Sequence, residues 1–336
     1  MRAWHIEAYG APTEVMRLVQ VPDLQPGAGQ VAVRVAACSL GFPDVLMCRS
    51  GYHHKPTLPF SPGADIYGEI VAVGPGVDLT DRSLSVGSKV IAIGAGLHGG
   101  LADITLVDLD LIFAAPVGLD AAESAALFGA YLTGWLALTR GARIEAGEVL
   151  LVHAAGGGVG SAAVQLGLAA GATVIGVTRG ARKAEVMREL GAHLVIDREQ
   201  TSVIEAVKDA TGGRGADVVY DPVGGQSWLE STKCVSFEGR LLVIGFAGGE
   251  IVSQPLNHPL IKNYSIIGIN SGLYTVKRPD IVARAMAELT DLAARGAIRP
   301  LIGERVPFAD APRALQELDN GVTVGRSVVM LDGSVG

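Results

Sequence analysis

Cysteine is scarce in this sequence. Only Cys38, Cys48 and Cys234 occur among 336 residues, and no Cys-x-x-Cys pair is present. Such spacing builds no disulfide framework and suits a reducing compartment, so a cytoplasmic protein is expected. Basic charge is also short: 27 Lys and Arg stand against 34 Asp and Glu, for a net charge of −7. Nucleic acid or an anionic membrane surface is thereby excluded as the main partner, because both require a basic face. Charged residues make up 18% and hydrophobic residues 49%, a balance that excludes disorder. The N-terminal Met1-Arg-Ala-Trp-His-Ile-Glu7 lacks the apolar core of a signal peptide. The uncharged run from Val149 to Thr178 is long enough to cross a bilayer. It contains His153, Gln165 and three consecutive glycines, however, and reads as strand, turn, helix and second strand.

Glycine, with 45 residues, is abundant and needs a structural explanation. The chain length predicts two compact units. Up to about residue 125 the pattern is that of a compact all-β region with irregular loops. Strands are predicted at 31–36, 66–73, 89–93 and 103–107, and the Pro-rich segment Lys55–Gly63 cannot be helical. Residues 121–139 read as a helical segment broken by Gly129 and Gly134. Strands at 149–152, 173–178, 193–196, 216–220 and 240–245 then alternate with helices at 160–170, 181–190, 202–210 and 225–235. Apolar strands separated by helices in this way predict an α/β, doubly wound parallel sheet. A strand at 265–269 is placed at the sheet edge. The tail carries helical pieces at 281–294 and 311–318 and a last strand at 327–331.

The glycine cluster in Val149-Leu-Leu-Val-His-Ala-Ala-Gly-Gly-Gly-Val-Gly160 follows a strand, opens a helix and precedes another strand. That is the context of a dinucleotide fingerprint, in which a tight turn brings backbone amides close to a pyrophosphate. Gly157 and Gly160 fill its second and third glycine positions and Ala155 replaces the first. Ala154, Gly157, Gly158, Val159 and Gly160 are therefore candidate cofactor-binding residues. The second strand ends Val177-Thr178-Arg179, with Lys183 close behind and no carboxylate before Glu185. NAD sites usually place an acid there for the ribose 2′-hydroxyl. Arg179 or Lys183 can instead meet a 2′-phosphate through charge-assisted bonds of about 1.5–3 kcal/mol each, which favours NADPH. Arg182 reads equally well as a solvated residue at a helix start.

Together with motifs in the first third, these residues resemble the medium-chain dehydrogenase/reductase superfamily, in its zinc-free quinone oxidoreductase (zeta-crystallin-like) branch. The motifs are Gly41-Phe-Pro-Asp44, Gly51-Tyr52, Leu58-Pro-Phe-Ser-Pro-Gly-Ala-Asp65, Gly68-Glu-Ile-Val-Ala-Val-Gly74, the 154–160 turn, Asp217-Val-Val-Tyr-Asp-Pro-Val-Gly224 and Gly239-Arg-Leu-Leu-Val-Ile-Gly245. The resemblance implies a GroES-like catalytic domain of residues 1–125, to which 271–336 return, and a Rossmann NADPH-binding domain of residues 126–270. It places Tyr52 at a substrate-facing loop. Thr133, Phe246 and Asn270 fall beside the cofactor, Lys183 at the 2′-phosphate, Arg198 beside the adenosine phosphate and Arg326 near the cofactor phosphates. Zinc-dependent relatives carry a cysteine and a histidine where this chain has Gly41 and Ala64, and no metal is expected. Relatives in the zinc-free branch usually have asparagine at Gly41 and glutamate at Asp65, so the acceptor side departs from its pattern.

Without a Lewis acid, hydride addition to an already electron-poor acceptor is favoured over alcohol–ketone interconversion. The expectation is an NADPH-dependent, zinc-independent oxidoreductase acting on a small-molecule electron acceptor, either a quinone or an activated alkene. The proton would come from Tyr52, from His53 or His54, or from water. A nucleotide-binding protein with little turnover, structural or regulatory, is the alternative. By resemblance the strand at 265–269 pairs with its copy in a homodimer.

Overall fold

The computed structural model describes residues 1–331. Two compact units are present: Met1–Gly129 together with the chain from Gly272 on, and Ala130–Ser271.

Gln30–Ser39, Asp65–Val73 and Lys89–Ile93 pair antiparallel in the first unit, in a seven-stranded sheet. The sheet runs from Ile302–Pro307 through Arg326–Met330 to these strands and ends on Ile112–Ala114, while Ile104–Asp108 pairs with Gln30–Ser39. Arg2–Ile6 and Met16–Gln20 form a separate two-stranded ribbon. Alternate residues of the long strand, Val31, Val33 and Val35, enter one buried cluster with Ile66, Ile70, Val90 and Val329, the period-two pattern of a sheet with one face on the core. The all-β reading needs correction, because the helix Phe42–Cys48 interrupts this region. Its start is set by Asp44, whose Oδ2 accepts the N–H of Gly41 at 2.8 Å, an N3 side chain reaching back to its own N-cap. The spacing from position 41 to 44 carried that signal. A run of only seven residues shows too little periodicity to reveal it.

Ala121–Trp135 is one continuous helix, followed by a wide, π-type turn over Leu136–Ala142. The glycines expected to break it are packing positions. A Cβ on Gly129 would lie 2.6 Å from the Asp65 carboxylate, and one on Gly134 would lie 2.7 Å from Leu166 Cδ1. Tertiary contact therefore outweighs the roughly 1 kcal/mol helix penalty of each glycine.

In the second unit the sheet has six parallel strands. Their order is Leu194–Asp197, Thr173–Thr178, Val149–Val152, Ala216–Asp221, Val235–Val243 and Ser265–Gly268. All four residues of Val149–Val152 are buried, as expected of a strand covered on both faces. The helices Gly158–Ala169, Ala181–Glu189, Val203–Ala210 and Gln226–Cys234 connect the strands. As read from the sequence, Ser265–Gly268 lies at the edge, and among the described residues it pairs only with Val235–Val243.

Candidate active site

Across the second unit's sheet the strand order reverses at Val149–Val152, flanked by Thr173–Thr178 and Ala216–Asp221. Ligands bind open α/β sheets at the carboxyl ends of strands at such a switch point. There the chain turns with Ala154 at φ +47°, the left-handed conformation that a fingerprint glycine usually supplies. Ala155 N–H donates to Val177 O and Gly157 N–H to Ala154 O, each at 2.9 Å. Gly160 is required by contact, since its Cβ would lie 2.2 Å from Ala154 O. The helix Gly158–Ala169 then starts with Gly157 as N-cap and no side-chain hydrogen bond capping it. Its leading amides, those of Gly158, Val159 and Gly160, form a donor set of the kind that binds a pyrophosphate.

Below the turn His153 is fully buried. Its Nε2 lies 3.0 Å from Ser231 Oγ, which itself donates to Ser227 O at 2.7 Å, so Nε2 carries the hydrogen. Among the described residues Nδ1 has no partner, and neither does the buried Asp221 Oδ2. Burial holds the His153 pKa low, against the opposing pull of Asp221 and Glu230. Asp221 Oδ1 accepts the amides of Val223 and Gly224 at 2.8 and 3.1 Å, fixing the neighbouring loop. Sequence reasoning assigned neither residue a role: Ser231, the partner of His153, lies 78 residues further on, and Asp221 binds the amides of its own loop.

Thr178 is buried at the end of its strand, and its Oγ1 has no partner among the described residues. Arg179 beside it is exposed and pairs at 3.3 Å with the exposed Glu199, a contact worth at most about 1 kcal/mol. The stem of Lys183 covers Gly156, with Cβ 3.0 Å from where a glycine Cβ would lie. Half-burial first, and Arg179 second, pull its pKa down, and the negative charge of a phosphate beside it would oppose that lowering. The guanidinium of Arg198 is more engaged than expected. It donates to Ser227 Oγ at 3.0 Å and lies 3.6 Å from Glu230, on the wall of a cavity of about 320 Å³ that Ser202 also lines. Thr133 donates to Ser271 Oγ at 2.9 Å, next to Asn270. Phe246 is partly exposed and closes over Gly224. The unspent helix amides and the partnerless Thr178 hydroxyl fit a bound dinucleotide.

The residues expected on the acceptor side lie in the first unit. Asp44 is 2% exposed and holds two loops, accepting Gly41 N–H through Oδ2 and Gly63 N–H through Oδ1, both at 2.8 Å. Burial nevertheless pushes its pKa up to about 6. Asp65 accepts Gly129 N–H at 3.1 Å and forms an ion pair with Arg326. Arg326, expected near the cofactor phosphates, is buried, and its charge is already met by Asp65. Its Nε has no partner among the described residues, and its Nη1 lies 3.4 Å from the point a Cβ on Gly41 would occupy. The space left by the missing side chain at position 41 is therefore flanked by a guanidinium.

Tyr52 is partly buried, and its ring centroid lies 4.1 Å from that of the exposed His53. Burial and then Asp44 raise its pKa, so the phenol stays protonated. The residues do not fit a catalytic zinc: Gly41 and Ala64 supply no donor atom, and the described residues contain no group of three or more His, Cys, Asp or Glu able to hold a metal.

Comparison with known proteins gives a consistent result. Residues 27–117 match the alcohol dehydrogenase GroES-like domain, and residues 158–291 match the family described as zinc-binding dehydrogenase. The quinone oxidoreductase-like protein 2 homolog of Nematostella vectensis is 33% identical over 305 residues, 90% of this chain and 82% of that protein. The quinone oxidoreductase of Sus scrofa is 32% identical over 337 residues, covering 98% of both. The crystal structure of Escherichia coli quinone oxidoreductase complexed with NADPH matches with a TM-score of 0.90 and 28% identity, over 98% of this chain and 100% of that one.

Proposed function

The chain belongs to the medium-chain dehydrogenase/reductase family, in its quinone oxidoreductase branch, and on that footing we propose that it is a zinc-independent, NADPH-dependent reductase of a quinone or an activated alkene. The observation that carries the coenzyme assignment is the turn at 154–160. Uncapped helix amides lie at the switch point of the sheet, the adjoining strand ends in Thr178-Arg179 without a carboxylate, and Lys183 packs against the same turn. The E. coli relative was solved with NADPH, which supports the same choice.

The leading amides of helix Gly158–Ala169 hold the pyrophosphate, and Arg179 and Lys183 meet the 2′-phosphate. Thr133, Asn270 and Phe246 line the nicotinamide side. Once bound, the coenzyme supplies hydride. An electron-poor acceptor needs no Lewis acid, because conjugation carries the arriving charge onto its oxygen. The chain's contribution is to orient the acceptor and offer a donor to that oxygen, and Tyr52, kept protonated, is suited to this role. Because glycine stands at position 41 with Arg326 beside it, the acceptor differs in shape from one that meets an amide there.

The second unit presents an edge strand with Ile266 exposed, together with Leu256, Leu260 and Ile261 on and next to the helix Asn257–Lys262. A second copy pairing along Ser265–Gly268 in a homodimer accounts for that apolar surface. Three buried, unpaired cysteines are in keeping with the cytoplasm, and no helix of the described residues is long and apolar enough to cross a membrane.

Steady-state oxidation of NADPH with a panel of quinones, enones and enoyl thioesters tests the proposal. Turnover with at least one class is expected. Tight NADPH binding without turnover across the whole panel would favour a structural or regulatory nucleotide-binding protein instead.

A further inference from the structure

The backbone gives Gly41 no reason to be a glycine. Its φ of −119° and ψ of 157° are extended values that any residue adopts. A Cβ there would meet Pro43 Cδ at 3.3 Å, Arg326 Nη1 at 3.4 Å and Asp44 Oδ2 at 3.5 Å, so no neighbour forbids one outright. At Gly68, by contrast, a Cβ would lie 2.2 Å from Arg34 O. What the glycine does is leave one side of the Arg326 guanidinium bare. The two residues are held together by backbone, since Leu40 N–H donates to Ser327 O at 3.0 Å. Arg326 is 8% exposed, and among the described residues its one side-chain hydrogen bond runs from Nη2 to Asp65 Oδ2, while Nε has no partner. A guanidinium carries five N–H donors, and a buried donor left unmet is costly. Asp44 does not meet them, because its two oxygens face the amides of Gly41 and Gly63. The bare donors therefore await an oxygen from outside the chain.

We propose that Nη1 of Arg326 receives the carbonyl oxygen of the acceptor, and that the acceptor is a neutral conjugated carbonyl rather than a carboxylate. This deepens the reading given above and rests on it. The charge balance decides the class. Asp65 already neutralises the guanidinium, and Asp44 adds a second carboxyl beside it. The site thus offers N–H donors without surplus positive charge. A carboxylate would be repelled by both acids, whereas a neutral carbonyl needs only the donor. In turnover the acceptor receives two electrons and one hydrogen as hydride from the bound coenzyme, which leaves oxidised. A new bond to hydrogen forms on the acceptor, and the conjugated π pair moves onto the carbonyl oxygen. That oxygen, now an enolate or hydroquinone anion, is held by the Nη1–H donors. A proton from Tyr52 or water then neutralises it. Because charge appears only as the hydride arrives, the contact is stronger in the transition state than in the ground state and raises kcat.

Gly41→Ala covers Nη1 and leaves the ion pair, whereas Arg326→Lys keeps the charge and removes Nη1. The first readout needs no turnover. Benzamide, a neutral carbonyl that hydride does not reduce, and benzoate, its anionic counterpart, are titrated by NMR into the protein with NADPH bound. Wild type is expected to bind benzamide more tightly than benzoate, and both variants to bind benzamide at least about tenfold more weakly. Equal benzamide binding in all three proteins, no benzamide binding to wild type, or tighter binding of benzoate would overturn the proposal. Turnover of the acceptor found active in the panel is the second readout. Each substitution is expected to lower kcat roughly a hundredfold with the NADPH Kd unchanged. A weaker NADPH Kd in Arg326→Lys with benzamide binding intact would assign the guanidinium to a coenzyme phosphate and overturn the proposal. A wild type that binds benzamide as expected but reduces no acceptor would instead overturn the reductase reading, and the role in turnover with it.

Discussion

Arg326 and Asp65, 261 residues apart in sequence, form a buried ion pair that joins the last strand of the first unit to its central antiparallel strands. Desolvation is the largest influence on Asp65 and raises its pKa. Arg326 and the Gly129 amide oppose it. Arg326→Met would leave a buried carboxylate without its cation, which costs about 3–5 kcal/mol. Urea unfolding should show a loss of that size, with partial recovery in Arg326→Met/Asp65→Asn. A loss below about 1 kcal/mol would mean the pair contributes little.

Asp44 gives a pH signature. Its folded pKa, about 6, lies above the usual aspartate value because burial outweighs its two amide hydrogen bonds. A carboxyl raised on folding contributes stability that is fully present below the unfolded pKa and is lost as pH rises through the folded one. The stability of wild type relative to Asp44→Asn should therefore decline by up to about 3 kcal/mol between roughly pH 4 and pH 7. A difference that is flat or increases with pH would contradict this.

Gly160 separates backbone geometry from charge. A Cβ there meets Ala154 O at 2.2 Å and cannot be accommodated without moving the turn. Gly160→Ala should weaken NADPH binding at least about tenfold, a cost of about 1.4 kcal/mol. Gly147→Ala, a comparison site with open space around it and a positive φ of 87°, should leave binding unchanged while losing some stability. Fluorescence titration with NADPH distinguishes the two.

Ile266 on the edge strand, with Leu260 and Ile261 nearby, is exposed in the single chain. Ile266→Lys places charge on an edge and should convert a dimer to a monomer in sedimentation at micromolar concentration, with NADPH affinity retained. A wild type already monomeric would contradict the pairing.

Much of the second unit was legible in the sequence because its signals are local. An apolar strand, a glycine turn and a helix follow one another within about twenty residues, and the pattern repeats. The missing acid after Thr178 could likewise be read directly. The first unit was less legible because its interactions are long-range. Asp65 finds its cation near the chain's end, and Asp44 spans the loops at Gly41 and Gly63. Nothing within a window of sequence announces such partners. For the same reason Gly129 and Gly134 read as helix breakers, although each is the small residue that a tertiary neighbour requires. Arg198 reads as a free cation until the helix Gln226–Cys234 brings Ser227 and Glu230 against it.

Calorimetric titration of wild type with NADPH and with NADH, repeated on Arg179→Ala/Lys183→Ala, tests the central claim most directly. The account predicts NADPH binding at least about tenfold tighter than NADH in wild type, with the preference abolished in the double variant by loss of charge-assisted bonds. Equal affinities in wild type, or no heat with either coenzyme, would contradict it.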